Sequence, residues 1–334
     1  MRPTLASPPK ITLGLTETCP LRCRHCYADC ASRPKPGELA AADWLRLIDQ
    51  VIEDGVIQIY IEGGEPLAKP GILDVLSRCS ASAMTLLRTH GTLIDDAMAA
   101  ALKTSGLGRV LVDLMGADAQ THDWCTDTPG SFRAACDGIR RTVEVGIPTD
   151  ILVILTRQTA PQLNDLLRLA ADIGVERVGI LRLYPLGRAK RIWSDIALSL
   201  DEQSEALASL QVPPGIGVMQ SWHPFNRNCC WQAAAVNAFG RAIGCMYLRE
   251  YVDFGSIRDA RYLDIWQHNP LYRELRSGRV ERDCPDCSKS QGASGGCRAA
   301  AYAFRGRWTA PEPFDTTLND GMDLRVLPER ILRA

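Results

Sequence analysis

The chain has 334 residues, of which 46% are hydrophobic, and its 38 basic and 39 acidic residues give a formal net charge of −1. This hydrophobic content supports a folded core and excludes a disordered or fibrous chain. The near-zero charge gives no reason to expect nucleic acid or an anionic membrane as a partner.

The N-terminal residues lack a signal pattern, and no apolar stretch approaches the roughly 18 residues that a membrane span needs. We therefore expect a cytoplasmic protein without membrane contact. Because the cytosol keeps thiols reduced, clustered cysteines among the 13 in this chain are expected to ligate metal rather than to form disulfides.

Apolar runs that favour β-strands alternate with segments whose apolar residues have helical spacing. The six predicted strands lie at 11–15, 57–61, 84–88, 109–113, 150–156 and 178–183. The clearest helical patterns lie between them, at 40–54, 95–105, 131–146 and 161–174. Pro161 suits a first helical turn, and Gly174 suits a helix end. This alternation predicts an α/β fold with a parallel sheet covered by helices.

The alternation stops after residues 185–190, and from about residue 211 glycine, proline and cysteine become frequent. We interpret this change as the start of a second, smaller module. The predicted domains are 10–195 and 211–320, and the functional loops of the first are expected at the carboxyl ends of its strands.

The loop after the first predicted strand carries three closely spaced cysteines, Cys19, Cys23 and Cys26. Thiolates bind soft metals and iron–sulfur clusters, and a cubane cluster needs four ligands. Three cysteines therefore leave one iron open to an outside ligand. The alternatives are a zinc site completed by His25 or Cys30, or loop cysteines without a metal.

This C-x3-C-x2-C spacing after a strand, followed by the aromatic Tyr27, resembles the signature of the radical S-adenosylmethionine (SAM) superfamily. Residues 61–66, IEGGEP, resemble the Gly-Gly-Glu-Pro segment of the same family. The resemblance implies a partial (β/α)6 TIM-like barrel with a [4Fe–4S] cluster on the three cysteines. It also implies that SAM chelates the open iron, and that its reductive cleavage gives a 5′-deoxyadenosyl radical that abstracts a substrate hydrogen.

The resemblance further assigns cofactor contacts. In the family, the Gly-Gly-Glu-Pro segment meets the methionine amino group of SAM, and residues 88–94 resemble a Thr-Asn-Gly segment in which His90 replaces Asn. Polar residues near strand ends are expected to contact the ribose or carboxylate. The expected cofactor-binding residues are Tyr27, Gly63, Gly64, Glu65, His90, Asp113, Thr156 and Arg182.

A second set of cysteines, with residues 262–278 as a linking helix, resembles the accessory module called SPASM or its shorter relative, the twitch domain. Complete two-cluster members have further cysteines where this chain has Ala293 and, approximately, Asp315. We therefore expect one auxiliary [4Fe–4S] cluster. Its candidate ligands are Cys230, Cys245, Cys284, Cys287 and Cys297.

The choice among these ligands stays open at this point. The twitch spacing favours Cys230, Cys245, Cys284 and Cys287, whereas the two-cluster template places Cys297 with the first two. A zinc site on the same four cysteines is the main alternative.

Five cysteines lie outside these preferred ligand sets. Cys229 is a spare ligand, and Cys125 and Cys229 are candidate hydrogen-atom donors to a substrate radical, as epimerising members of the superfamily require. The remaining three, Cys30, Cys79 and Cys136, are expected to be buried or inert.

The leading functional expectation is maturation of a ribosomally synthesised peptide by crosslinking, epimerisation or decarboxylation. The alternatives are dehydrogenation or epimerisation of an aminoglycoside or other sugar, modification of a tetrapyrrole or other cofactor precursor, and, remotely, a non-catalytic metal-binding scaffold. The resemblance implies a flavodoxin or ferredoxin as electron donor. Because the chain begins about ten residues before its first strand, we expect a peptide leader to be bound by a separate protein.

Overall fold

The computed structural model describes residues 5–221, 229–277, 296–316 and 319–332. One open sheet of eight parallel strands, in the spatial order 7-6-5-4-3-2-1-8, runs through the described chain. The strands are β1 (Lys10–Gly14), β2 (Gln58–Glu62), β3 (Met84–Thr89), β4 (Arg109–Asp113), β5 (Thr149–Ile154), β6 (Arg177–Leu181), β7 (Gly217–Gln220) and β8 (Ala235–Val236).

Amphipathic helices connect the strands and cover the outer face of the sheet. The described residues form α1 (Ala41–Glu53), α2 (Ile72–Ser80), α3 (Asp96–Thr104), α4 (Ala119–Thr126), α5 (Ser131–Glu144), α6 (Leu163–Ile173), α7 (Trp193–Ile196), α8 (Leu200–Ala208), α9 (Tyr262–His268), α10 (Pro270–Ser277), α11 (Arg298–Arg305) and α12 (Glu329–Leu332). Pro161 lies in a short 3-10 turn before α6, and Gly174 ends that helix with a left-handed φ of 87°.

The side chains of each strand alternate between two environments, as the pleat requires. In β4, Val110 and Val112 face the helices and belong to the main hydrophobic core. The residue between them, Leu111, belongs instead to a separate small cluster with Leu86 and Leu152. This inner cluster marks the concave face, and the next residues on that face, two positions further along each strand, lie at the carboxyl edge of the sheet.

The register brings the first two strand ends level, because Gly14 of β1 lies opposite Glu62 of β2. The loops that follow these strands, which carry the three cysteines and the glycine pair, therefore leave the sheet side by side. This is the edge where parallel α/β folds build their sites.

The predicted α/β fold with a partial barrel is confirmed, and the six predicted strands lie within two residues of their expected positions. The sheet is larger than expected, because two more strands come from the region predicted as the second module. β7 pairs with β6, and β8 pairs with β1. The domain limits of 10–195 and 211–320 stay a prediction.

The C-terminal part contributes an aromatic cluster of its own. The Phe254 and Tyr272 rings stack with centroids 4.1 Å apart, and the Tyr262 and Tyr272 hydroxyls share a hydrogen bond of 2.8 Å. Trp266 is fully buried beside them. Across the described residues, none of the helices combines the length and the apolar character needed to cross a membrane.

Candidate active site

The cysteine loop is closed at its base by backbone hydrogen bonds. Cys19 N–H donates to the Ala31 carbonyl over 2.8 Å, and Ala31 N–H donates to the Glu17 carbonyl over 3.0 Å. Glu38 accepts hydrogen bonds from the Glu17 N–H and from the hydroxyl of Thr16. The segment between these anchors has both ends fixed at the carboxyl end of β1.

Cys19, Cys23 and Cys26 line one cleft, which is partly open to solvent. Leu21 and Ala28 are buried beside the thiols. Burial raises the pKa of Cys19 to about 12 and also raises the pKa of Cys23.

Cys30 lies next to Cys26 in the same cleft. A hydrogen bond between their thiols, which outweighs the effect of burial, lowers the pKa of Cys26 to about 6. The same hydrogen bond, together with burial, raises the pKa of Cys30. Cys30 is therefore a neighbour of the three predicted ligands and the thiol that donates to one of them.

The donor set fits an iron–sulfur cluster, since three soft thiols face one space. In the part of the chain that the structure describes, no three His, Cys, Asp or Glu side chains are grouped as ligands of a single metal ion would be. A cubane does not require such a group, because each thiolate binds a different corner of the cluster.

The glycine pair after β2 packs against the base of the cysteine loop. Gly64 N–H donates to the Thr16 carbonyl over 2.7 Å, and Gly63 has a φ of +145°. A Cβ atom at Gly63 would lie 2.6 Å from the Thr16 carbonyl oxygen, and one at Gly64 would lie 2.2 Å from the Thr18 carbonyl oxygen. Both positions therefore require glycine, and both line the cleft.

Glu65 does not line the cleft, in contrast to its neighbours. Its carboxylate is fully buried and accepts hydrogen bonds from the Thr89 hydroxyl and from the N–H groups of Leu67 and His90. It thereby joins the ends of β2 and β3. His90 does line the cleft. Its Nδ1 accepts a hydrogen bond from Thr92 N–H over 3.1 Å, and its Nε2 lies 3.1 Å from Glu65 Oε2.

Three charged residues of the concave face line the cleft beside the thiols: Glu62, Arg88 and Asp113. Arg88 Nε and Nη2 donate to Asp113 over 3.0 and 2.9 Å, and Arg88 Nη1 lies 3.7 Å from Glu62. The Tyr27 hydroxyl donates to Glu62 over 3.2 Å. Burial raises the pKa of Glu62, and the Arg88 charge opposes this effect.

Asp113 and Tyr27 were expected at this site from the sequence, whereas Glu62 and Arg88 were not. The alternation of side chains along each strand points to these residues. Each lies two positions after a residue of the inner face: Glu62 after Tyr60, Arg88 after Leu86, and Asp113 after Leu111. Extending the alternation to the carboxyl end of each strand predicts all three.

Thr156 and Arg182 lie away from the cleft and have structural partners. Thr156 N–H donates to the Thr159 hydroxyl over 2.8 Å, which closes the turn after β5. Arg182 is buried and forms an ion pair with Glu312, and Glu312 also accepts a hydrogen bond from Cys297 N–H over 2.7 Å.

Cys125 is placed in the hydrophobic core, where burial raises its pKa to about 12. It does not line the cleft, so the structure does not give it the cavity-facing position that a hydrogen donor needs. Cys229 begins a short 3-10 turn, and its side chain lies outside the description.

Cys230 and Cys297 are buried, whereas Cys245 is half-buried. The Tyr184 hydroxyl donates to Cys297 Sγ over 3.5 Å, and the Tyr184 ring stacks on Tyr247, two residues after Cys245. The other predicted ligands, Cys284 and Cys287, and Ala293 lie outside the described residues.

Comparison with known proteins adds to this geometry. The Radical SAM superfamily profile matches residues 13–170, and the SPASM profile, an iron–sulfur cluster-binding domain, matches residues 229–288. An AdoMet-dependent heme synthase of Oleidesulfovibrio alaskensis is 25% identical and aligns over 92% of this chain and 86% of its own length. A PqqA peptide cyclase of Gluconobacter oxydans is 27% identical and aligns over 93% of this chain and 91% of its own.

Among solved structures, Streptococcus suis SuiB bound to S-adenosylmethionine superposes with a TM-score of 0.75 at 18% identity. The match covers 94% of this chain and 78% of SuiB, and it shows a shared fold. The two profiles imply iron–sulfur clusters and SAM binding. The chain therefore belongs to the radical SAM superfamily, is one of its enzymes, and carries a C-terminal SPASM domain.

Proposed function

We propose that Cys19, Cys23 and Cys26 hold a [4Fe–4S] cluster, with SAM bound beside it in the cleft, and that the enzyme modifies a ribosomally synthesised peptide. The observation that carries the proposal is the convergence of three thiols, a side-chain-free glycine pair and a charged inner face on one cleft. When bound and reduced, the cluster and SAM supply a 5′-deoxyadenosyl radical for hydrogen abstraction.

The residues of the chain have separate roles around this site. Gly63 and Gly64 would meet the methionine end of SAM with their backbone, and Asp113 and Glu62 supply carboxylates for its hydroxyl or cationic groups. Arg88 fixes the orientation of both carboxylates. Leu21 and Met115 add apolar wall, which helps to keep water from a reactive carbon radical.

We infer a peptide rather than a tetrapyrrole as the second ligand from the similarity to a PqqA peptide cyclase, which is 27% identical and aligns over 93% of this chain.

A tetrapyrrole is the second candidate, because the heme synthase relative aligns over nearly the whole chain at a comparable identity. The two candidates differ in a direct assay. With SAM and a reductant, a short precursor peptide encoded near the gene should lose two hydrogens, lose carbon dioxide or take up solvent deuterium. If the peptide stays unchanged while an iron porphyrin loses carboxylate side chains, the peptide proposal is wrong.

We further propose one auxiliary [4Fe–4S] cluster in the C-terminal part. Cys230, Cys245 and Cys297 lie within the described residues, and Cys284 or Cys287 would complete a set of four thiolates. The same donors would suit zinc, so metal analysis has to decide between the two. The reducing electron would come from a flavodoxin or ferredoxin in the cytoplasm, and a separate protein would present the peptide leader.

The first experiment counts iron and sulfide in anaerobically reconstituted protein and measures 5′-deoxyadenosine after reduction. The control is a variant in which Cys19, Cys23 and Cys26 are all changed to alanine. We expect about eight irons in the wild type and about four in the variant, with deoxyadenosine lost. About twelve irons would require a second auxiliary cluster, and zinc without SAM cleavage would contradict the proposal.

A further inference from the structure

Arg188 follows β6 and binds the cysteine loop at four points. Its Nε donates to the Cys23 carbonyl over 2.8 Å, and its Nη1 donates to the Cys30 carbonyl over 2.9 Å. Its backbone N–H donates to the Cys26 carbonyl over 2.9 Å. Nη1 also lies 3.0 Å from Asp29 Oδ1. One residue thus contacts two of the three proposed ligand residues and the cysteine beside them.

The cysteine loop needs such an outside support, because it has little regular structure. Within it, Cys26 N–H donates to the Cys23 carbonyl over 3.2 Å, and Asp29 has a positive φ of 45°. On its other side, Arg22 and Arg24 donate their N–H groups to carbonyls at the end of α4. Arg188 adds to these contacts a fixed direction for the Cys23, Cys26 and Cys30 carbonyls, and so helps to direct the thiols of the same residues.

The close approach of Arg188 depends on the glycine before it. Gly187 has a left-handed φ of 52°, and a Cβ atom there would lie 2.4 Å from the Cys26 carbonyl oxygen. Its N–H donates to Glu250 over 2.7 Å, and Glu250 also forms an ion pair of 2.8 Å with Lys190. The C-terminal part of the chain thus holds this segment against the cysteine loop.

We propose that Arg188 is a positioning residue for the iron–sulfur cluster, fixing the backbone of its ligand loop and placing a positive charge beside it. The inference rests on the cluster assignment of the proposed function. A guanidinium bridges several acceptors at fixed angles, whereas an ammonium acts as a point charge. A nearby positive charge favours the reduced, more negative cluster and so raises its reduction potential.

The test compares cluster-loaded full-length protein with R188Q, R188K and the control R191Q. Arg191 is exposed and contacts Asp29 over 2.8 Å but binds none of the three loop carbonyls. Two quantities are measured: the rate of iron release to a chelator, and the midpoint potential with the electron paramagnetic resonance spectrum of the reduced cluster.

We expect R188Q to release the iron of the first cluster about tenfold faster, which corresponds to an activation free energy of release that is lower by about 1.4 kcal/mol. It should also have a lower midpoint potential and an altered spectrum. R188K should have a midpoint potential close to that of the wild type, since the positive charge remains, but it should release iron faster than the wild type. R191Q should match the wild type in both measurements.

R188Q with wild-type release, potential and spectrum would overturn the inference, as would R191Q with changes as large as those of R188Q. If R188Q does not fold, R188K decides, because wild-type iron release in that variant shows that the guanidinium fork is not required. A wild-type protein that binds no cluster contradicts the proposed function as well. A loaded wild type with an unaffected R188Q contradicts the Arg188 role alone.

Discussion

Arg88 is buried between two carboxylates, and its charge is what makes their burial tolerable. It binds Asp113 through two nitrogens and lies 3.7 Å from Glu62. Removing one partner from a buried ion pair leaves an uncompensated charge and costs roughly 3–5 kcal/mol. We therefore predict that R88Q lowers the free energy of unfolding by this amount and abolishes SAM binding.

The measurements are urea unfolding and SAM binding by calorimetry. The matched control is the double variant R88Q with D113N, which removes one of the two carboxylate charges together with the guanidinium. It should recover part of the lost stability but not SAM binding. Equal unfolding free energies for R88Q and the wild type would show that the charge network is not stabilising.

His122 is fully buried in α4, and its Nδ1 accepts a hydrogen bond from Met115 N–H over 3.0 Å. Burial lowers its pKa from 6.5 to about 4. Below pH 6.5, His122 binds a proton in the unfolded chain but stays unprotonated in the folded chain. The free energy of unfolding is therefore at its full value above pH 6.5 and falls as the pH falls towards 4, by up to roughly 3 kcal/mol.

The control for this pH dependence is H122N, whose side-chain oxygen can accept from the same N–H but does not titrate. Unfolding free energies are measured for both proteins between pH 7 and pH 4. We expect the wild type to lose more stability than H122N over this interval. Parallel curves would mean that His122 contributes nothing to the pH dependence.

The loops after β1 and β2 pack closely against each other, and this packing determines the shape of the cleft. A Cβ at Gly64 would lie 2.2 Å from the Thr18 carbonyl oxygen, next to Cys19, so G64A has to push the two loops apart. We predict a loss of about 1–3 kcal/mol in unfolding free energy, as for other overpacked sites, and poor loading of the first cluster.

The control is G217A in β7, where the nearest atom to a new Cβ, the Glu176 carbonyl oxygen, is 3.6 Å away. Thermal unfolding and iron content are measured for both variants. G217A should load iron like the wild type. Normal iron content in G64A would show that the loop adapts and that Gly64 is not required for the cluster site.

The predictability of the elements follows from their length and burial. β5 is buried at all six positions and its last four residues, 151–154, form an apolar run, so the sequence locates the strand. β7 has only four residues, all at least partly exposed, and β8 has only two, both buried. Strands of this length are too short for a period to emerge. These two strands form only because β6 and β1 offer open edges.

The site was predictable to the extent that its residues share one loop. The three cysteines converge because they are close in sequence, whereas the orientation of Glu65 and Arg182 depends on tertiary partners. Spacing alone cannot show that Glu65 holds β3 or that a strand-end arginine pairs with a residue far along the chain.

For the whole molecule, the buried pair of Arg182 and Glu312 joins the barrel to the C-terminal segment, with Cys297 N–H on the same carboxylate. We predict that E312Q costs roughly 3–5 kcal/mol of unfolding free energy, because Arg182 loses its counter-charge. The iron of the auxiliary centre should also fall, since Cys297 loses its anchor.

The control is D323N, which removes an exposed partner of Arg325 and should change stability by less than about 1 kcal/mol. Urea unfolding and iron analysis give both readouts. An E312Q protein as stable as D323N would show that the segment from 296 onward is held by its apolar contacts instead.

The position of β8 in the sheet has a consequence for the order of synthesis. Thr12 pairs with Ala235, so one edge of β1 stays unpaired while the ribosome synthesises the residues between them. An unpaired strand edge invites pairing with other chains. A nascent chain that contains the other strands of the sheet but not yet β8 therefore exposes both the unpaired edge of β1 and the thiols of the loop that follows it. Pairing with β8 closes this edge, so the edge stays open until residue 236 has been synthesised.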